Sequence, residues 1–248
     1  MEQADWGSPR FTGSGLTAAG PRSVAGRPGL AFRCPVCGLA LPRAGRCPNG
    51  WCRRSDREFS VVFAVAAHSA DLRRAVCRYK YDGERWWRDV FAVMVARFLT
   101  DNACWFEDLD LITGVPSYIG PGSRRSWDPV GSVLDRLEGR LGPGWRVVPD
   151  LVSKRHETPQ LRGRHESSRR SLAAGPLRHA LQVTDPRAVS GSRLLVFDDV
   201  LAEGSTLNEV ARALKRAGAV EVAGLVISRP ARYSGSSVGR PAPEGPIF

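Results

Sequence analysis

The sequence predicts an α/β fold, a mainly parallel sheet flanked by helices, with a small four-cysteine zinc-ribbon-like module ahead of it. Three observations predict it. Short apolar runs alternate with segments of helical periodicity; one run, Arg193 to Phe197, enters Asp198-Asp199 and a Gly-Ser-Thr turn; and two cysteine pairs, Cys34-x2-Cys37 and Cys47-x4-Cys52, sit near the N-terminus. Strand, helix, strand in this order favours right-handed crossovers and parallel pairing. At 248 residues and 42% hydrophobic content, the chain can bury one α/β core and has room for one accessory module.

Residues 1–30 are rich in Gly, Ser, Pro and Ala without hydrophobic periodicity, which leaves too little apolar area to offset the entropy of ordering them. Residues 231–248 have the same character, and both tails are expected to be disordered. Between them the pattern predicts the four-cysteine module over 31–56 and the α/β domain over 57–230. Phe59 to His68 reads as a strand, and Ser69 to Tyr79 as a helix with Ser69 or Asp71 at its start. A longer helix follows over Glu84 to Thr100, where Trp87, Val90, Phe91, Met94, Val95 and Phe98 recur at near-helical spacing and read as core. Leu109 to Val115 has the short apolar run of a buried parallel strand, Val130 to Arg140 reads as a helix, and Trp145 to Val148 as a strand. After the Arg193 to Phe197 strand comes a helix from Thr206 to Ala217, ended by Gly218, and a last strand from Glu221 to Ser228.

The formal charge of +11 invites a nucleic-acid reading, because clustered cations release counterions from phosphates. Only Lys80, Lys154 and Lys215 are lysines, however, and an arginine bias follows from GC-rich codon usage alone, so the positions of individual cations are the better guide. No apolar run is long enough to span a bilayer, and no apolar stretch follows basic residues at the N-terminus. A soluble, unexported, cytoplasmic protein is the expectation.

The cysteine pairs have knuckle spacing. Cys34, Cys37, Cys47 and Cys52 on two turns can bring four thiolates to one ion, which completes a tetrahedral zinc shell and leaves no open position for catalysis. Disulfides are the alternative, disfavoured by a reducing compartment. Cys77 and Cys104, in or just after predicted helices, read as small apolar fillers.

The stretch RLLVFDDVLAEGSTLNEVARALKRA, Arg193 to Ala217, carries the most chemistry. Ligands bind at the carboxyl ends of strands in open α/β sheets. Asp198 and Asp199 there can accept hydrogen bonds from vicinal ribose hydroxyls. Backbone N–H groups of Ala202, Glu203, Gly204, Ser205 and Thr206, with the Ser205 and Thr206 hydroxyls, can cradle a phosphate at the positive end of the helix. The plainer alternative is a strand-to-helix turn whose acids cap the helix. A ligand carrying pyrophosphate would also need cations opposite the acids; Lys80, Arg124, Arg125, Lys154, Arg155 and Arg164 are the candidates. His156 and His165 can carry protons near neutrality, although a histidine in a basic loop is more often solvated or phosphate-contacting than catalytic.

This stretch resembles the phosphoribosyl pyrophosphate (PRPP) motif of type I phosphoribosyltransferases, matching it at Asp198, Asp199, Val200, Gly204 and Thr206 and departing at Ala202 and Glu203, where the family usually has at least one Thr. Four further elements resemble the competence-protein ComF family: the four-cysteine ribbon, Tyr79-Lys80-Tyr81-x-Gly83, Asp110-x-Ile112 leading to Val115-Pro116, and KRHETPQLRGRHESSRR from Lys154 to Arg170. Arg124-Arg125-Ser126-Trp127-Asp128 stands where that family usually has an Arg-Arg-Gly-Phe-Asn-Gln type segment. The resemblance runs from about Phe32 to Arg229. It implies a type I phosphoribosyltransferase-like fold, structural zinc, PRPP with Mg²⁺, and displacement of pyrophosphate at ribose C1, which makes the chain a transferase of the glycosyltransferase class. On this reading Asp198 and Asp199 carry the catalysis, Lys80, Arg155 and the turn from Ala202 to Thr206 bind ligand, and the acceptor is not indicated. The alternative within the same resemblance is a binding or scaffold module in DNA uptake and natural competence, acting with a helicase or single-stranded DNA.

Overall fold

The computed structural model describes residues 32–41, 45–159, 171–202 and 204–230. The two expected tails lie wholly outside these residues. The described chain opens with a hairpin, β1 (Phe32–Arg33) antiparallel to β2 (Ala40–Leu41), and a single 3-10 turn over Gly50–Arg53. Next come β3 (Val62–Ala67) and α1 (Ala70–Tyr81). Ser69 starts α1 because its side chain accepts the Leu72 N–H, Asp71 favours the positive end of the helix, and Arg78 and Lys80 favour the negative end. The helix α2 (Trp87–Asp101) follows, then β4 (Leu111–Gly114) and α3 (Pro129–Glu138), which Asp128 caps and Pro129 opens.

Two short strands, β5 (Val152–Lys154) and β6 (Leu181–Val183), pair antiparallel outside the main sheet. The chain then enters β7 (Arg193–Val200), α4 (Ser205–Arg216) and β8 (Glu221–Arg229). Gly218 follows α4 with φ +98°, the left-handed conformation that ends a helix at low cost for glycine.

The main sheet has the order β3-β8-β7-β4, and every pairing in it is parallel. Its central strands read as continuous apolar runs because both faces are covered. Period two divides each strand between two cores. Phe63, Leu195, Phe197 and Leu225 face α1, α2 and α3, where Phe91, Val95 and Leu99 present one stripe at four-residue intervals. Val62, Leu194, Val196 and Val226 face α4, packing on Leu207, Val210 and Leu214. Each such fully buried side chain contributes about 1.5–3 kcal/mol.

Two expectations need correction. Trp145 to Val148 does not form a strand; it makes one parallel bridge, Val147 to Ile112, since Gly142, Pro143 and Gly144 precede it and Pro149, with no N–H to donate, follows. The strand expected from Phe59 starts at Val62, and Phe59 turns towards α4 instead. The cysteine module packs against the sheet and α4: Cys34, Cys37, Cys47, Trp51 and Phe59 belong to the same buried cluster as Leu201, Leu207 and Val210. No helix among the described residues is long and apolar enough to cross a membrane.

Candidate functional site

The carboxyl ends of β7 and β4 open into a cleft of about 660 Å³, and α1, the 115–127 loop, the 154–159 segment and the start of α4 close its sides. Asp198 and Asp199 lie at the end of β7, in the middle of the sheet. The Asp199 N–H donates to Asp198 Oδ1 at 2.8 Å. Burial, with the neighbouring Asp199 carboxylate, pushes the Asp198 carboxyl up to about 7.

Lys80 enters from the last turn of α1, and its Nζ lies 2.5 Å from Asp199 Oδ2. Burial alone would pull this ammonium down, but the facing carboxylate, helped by Tyr81 and Asp198, holds it above the ordinary lysine value. The preceding Tyr79 fixes the end of α1: it is buried, its hydroxyl donates to the Pro129 carbonyl at 2.7 Å, and its ring meets Trp127 edge-on.

Beyond the acids the chain turns through Leu201 and Ala202 to Gly204, which has φ +108° and serves as the N-cap of α4. Unlike α1 and α3, α4 has no side-chain cap, so the N–H groups of its first turn are left for a ligand or water. Ala202, Gly204, Ser205 and Thr206 all line the cleft. The turn therefore combines an uncapped helix start, backbone free of a Cβ at residue 204 and two hydroxyls, which together suit a phosphate. Glu203 lies outside the described residues.

The opposite wall is basic. Arg124 donates to Glu157 Oε1 at 2.9 Å and to the Thr158 carbonyl at 2.8 Å, which ties the 115–127 loop to the segment after β5. The Ser123 hydroxyl sits between the Tyr118 and Arg125 carbonyls, 2.7 and 2.8 Å away. Arg125 lies over the Tyr81 ring and Arg85 over Trp127, at 5.5 and 5.2 Å from the centroids. Lys154 lies on the same wall; burial holds its ammonium below the usual lysine value, with Arg124 and Arg125 pushing the same way against the opposing pull of Glu157.

The sequence-predicted residues thus separate. Lys80, Asp198, Asp199, Ala202, Gly204, Ser205 and Thr206 share one cleft, together with Arg124, Arg125 and Lys154. Arg155 does not line it: this exposed residue donates from its backbone to the Ala180 carbonyl and from its guanidinium to that of His179. Arg164 and His165 lie outside the described residues. Tyr118, Trp127 and Thr158 also line the cleft; Trp127 and Thr158 fall within segments compared with the ComF family, but none of the three was assigned a site role from the sequence, in which aromatics and threonines carry no local mark of one.

Behind the turn lie Cys34, Cys37, Cys47 and Cys52, their sulfurs all within 4.8 Å of one another. Tetrahedral zinc with bonds of about 2.3 Å separates its sulfurs by about 3.8 Å. Cys37 and Cys47 stand 3.7 Å apart, far beyond a bond of about 2.05 Å. The four thiols could therefore bind a zinc ion. Arg229, whose Nε and one terminal nitrogen are buried without a hydrogen-bond partner among the described residues, acts electrostatically on Cys37.

Comparison with known proteins agrees with this geometry. Residues 130–236, which include both aspartates and the turn, match the phosphoribosyl transferase domain family. The chain is 25% identical to DNA utilization protein YhgH of Salmonella typhimurium, over 84% of this chain and 87% of that one. It is also 25% identical to competence protein F of Haemophilus influenzae, over 76% and 81%. Residues 130–236 thus carry a phosphoribosyl transferase domain, in a chain similar to competence protein F. Among solved structures, purine phosphoribosyltransferase from Pyrococcus horikoshii aligns at 18% identity over 66% of this chain and 94% of that chain; the TM-score of 0.32 is too low to add to the argument. In this chain the parallel sheet, flanking helices and acid-bearing strand follow from its own residues, and the clustered cysteines add the N-terminal module.

Proposed function

We propose that this chain binds a ribose 5-phosphate ligand such as PRPP and transfers its phosphoribosyl group with release of pyrophosphate. The observation that carries the reading is the acidic pair placed one short turn from an uncapped helix start, inside a single cleft. Asp198 and Asp199 would accept hydrogen bonds from the two ribose hydroxyls, with Lys80 holding Asp199 in place. The N–H groups and hydroxyls from Ala202 to Thr206 would take the 5-phosphate, while Arg124, Arg125 and Lys154, on the same cleft, would meet the pyrophosphate.

In the reaction the bond from C1 to the pyrophosphate oxygen breaks with its electron pair leaving on that oxygen. A bond then forms from the acceptor's nucleophilic atom to C1, and the acceptor's proton passes to solvent. Catalysis is positioning plus charge stabilisation, with carboxylates near the developing positive charge and cations near the leaving group. The carboxylates and the ligand's own oxygens are the hard donors that Mg²⁺ takes, and the chemistry it supplies is neutralisation of the departing pyrophosphate. The four thiols, held apart rather than bonded, suit structural zinc in a reducing cytoplasm.

A second reading has its own support. The names of the two relatives concern DNA utilization and competence, and Ala202 lacks the hydroxyl that the resembled motif usually supplies. The chain would then be a binding or scaffold module in DNA uptake, with a helicase or single-stranded DNA as partner. Calorimetric titration of PRPP with and without Mg²⁺, then a pyrophosphate-release assay over nucleobases and amines, separates the two. Binding with turnover supports the transferase; binding without turnover supports the module; no binding removes PRPP from both.

A further inference from the structure

The segment from Asn49 to Phe59 is wedged behind the first turn of α4. Trp51, between Cys47 and Cys52, is 5% exposed, and its indole Nε1–H donates to Ser205 Oγ at 3.1 Å. Its own backbone N–H donates to Asn49 Oδ1 at 3.1 Å. Two more contacts reach the same turn. The Phe59 ring lies so close to Gly204 that a Cβ there would stand 3.4 Å from it, and the Glu58 N–H donates to Asn208 Oδ1 at 2.9 Å. Arg57 braces the wedge by donating to the Cys52 and Phe59 carbonyls at 2.9 and 2.8 Å.

We propose that Trp51 is a positioning residue that orients the Ser205 hydroxyl towards the ligand's phosphate, so that the four-cysteine module tunes the affinity of the phosphate turn. The proposal rests on that turn being the phosphate site. Its chemistry is directional. An indole N–H can only donate, whereas a hydroxyl has one proton to give and lone pairs to accept with. Ser205 must therefore accept from Trp51, and its own proton is left for another acceptor; the residue lines the cleft, where a phosphate oxygen is that acceptor. Without the indole donor, a serine in a first helical turn can rotate back to local backbone groups and withdraw its proton from the cleft. The module thereby acts on the ligand site through a single side chain.

Ribose 5-phosphate is the suitable probe, because its one phosphate is the one the turn would hold. Its affinity is measured by calorimetry on the full chain with its metal in place, for wild type, Trp51→Phe, Ser205→Ala and the double variant. Losing one oriented hydrogen bond should weaken binding about tenfold in Trp51→Phe. The double variant should be no weaker than Ser205→Ala alone, because Trp51 acts through that hydroxyl. Zinc content of Trp51→Phe, read by atomic emission, should equal that of wild type. Unchanged affinity in Trp51→Phe overturns the proposal, as does a double variant whose loss is the product of the two single losses. Should Trp51→Phe fail to fold, Asn49→Ala loosens the indole without shrinking it; it should show a smaller loss that disappears in the Ser205→Ala background, and persistence of that loss overturns the proposal equally. Failure of wild type to bind either ribose 5-phosphate or PRPP overturns the phosphate reading itself, a result distinct from the others.

Discussion

The two walls of the cleft are built differently. The acidic wall is made of regular structure: a central strand, a glycine turn and a helix start, backed by Trp51 of the cysteine module and by Phe59. The basic wall is made of loop. Its cations are held by side chains, above all by Arg124 reaching Glu157 across 33 positions of sequence, and both partners keep about a third to a half of their side-chain surface in solvent. A wall set by strand register and a helix start has little freedom to move, whereas one held by exposed ion pairs can reshape around a ligand at small cost. The acidic wall should therefore fix where the ribose and its phosphate sit, and the basic wall should adjust to what extends beyond them.

Substitutions that strike the acidic wall or its support should then have the larger effects. The largest is expected from Cys34→Ser. Because the cysteines share a buried cluster with α4 and the sheet, losing the zinc proposed to bind them should lower the melting temperature of the whole chain in one transition, rather than melt a module alone. Melting followed in parallel by far-ultraviolet dichroism and by zinc release checks this; two separated transitions would show the module to be independent.

Next is Gly204→Val. At φ +108° a β-branched residue is strained whatever the space around it. Phosphate binding should disappear, for ribose 5-phosphate and PRPP alike. Asp199→Asn should follow. Its carboxylate neutralises Lys80, whose side chain is only 16% exposed, so the change should cost about 3 kcal/mol in urea unfolding and weaken PRPP about tenfold or more. Restoring stability in Asp199→Asn by adding Lys80→Met would show that the stranded cation was the cause.

Asp198 gives a pH signature. Its carboxyl titrates at 3.8 in the unfolded chain and at about 7 in the fold, so between those values the native state keeps a proton that the unfolded state has lost. Its contribution to stability therefore falls as pH rises through that window. Asp198→Asn removes the penalty. Its unfolding midpoint in urea should exceed that of wild type by the most at about pH 8, and the gap should narrow as pH falls towards about 5. A gap that widens on acidification would mean that Asp198 is not held in its protonated form by burial.

The same contrast explains what was legible in the sequence. The acidic wall is local: Arg193 to Thr206 writes strand, acids and turn in fourteen consecutive residues, and both the strand and the helix after it form there. Ser69, Gly218 and the α2 stripe are local signals too, and each sits in the element it predicted. The basic wall is not local. Nothing near Arg124 indicates Glu157, and Arg155, one position from Lys154, projects away from the cleft because β5 is three residues long and pairs outside the main sheet. That strand pair is too short for periodicity to reveal. The fusion of the cysteine module with α4 was hidden for the same reason, since it depends on Trp51 meeting Ser205 from 154 positions away.

The smallest effect on stability, and the sharpest test of the contrast, is expected from Arg124→Ala. Its ion pair with Glu157 is exposed enough that losing it should cost no more than about 1 kcal/mol. On ligands it should act selectively. Ribose 5-phosphate ends at the acidic wall and should bind Arg124→Ala as it binds wild type. PRPP extends to the basic wall, so it should lose one charge-assisted contact, about tenfold in affinity, and the salt dependence of its binding should become shallower. The ratio of the two affinities is then the measurement: it should fall about tenfold in Arg124→Ala, while in Asp199→Asn both ligands should weaken together because both carry the ribose. If Arg124→Ala weakens ribose 5-phosphate as much as PRPP, the arginine is shaping the cleft as a whole, and the division between a fixed wall and an adjustable one fails.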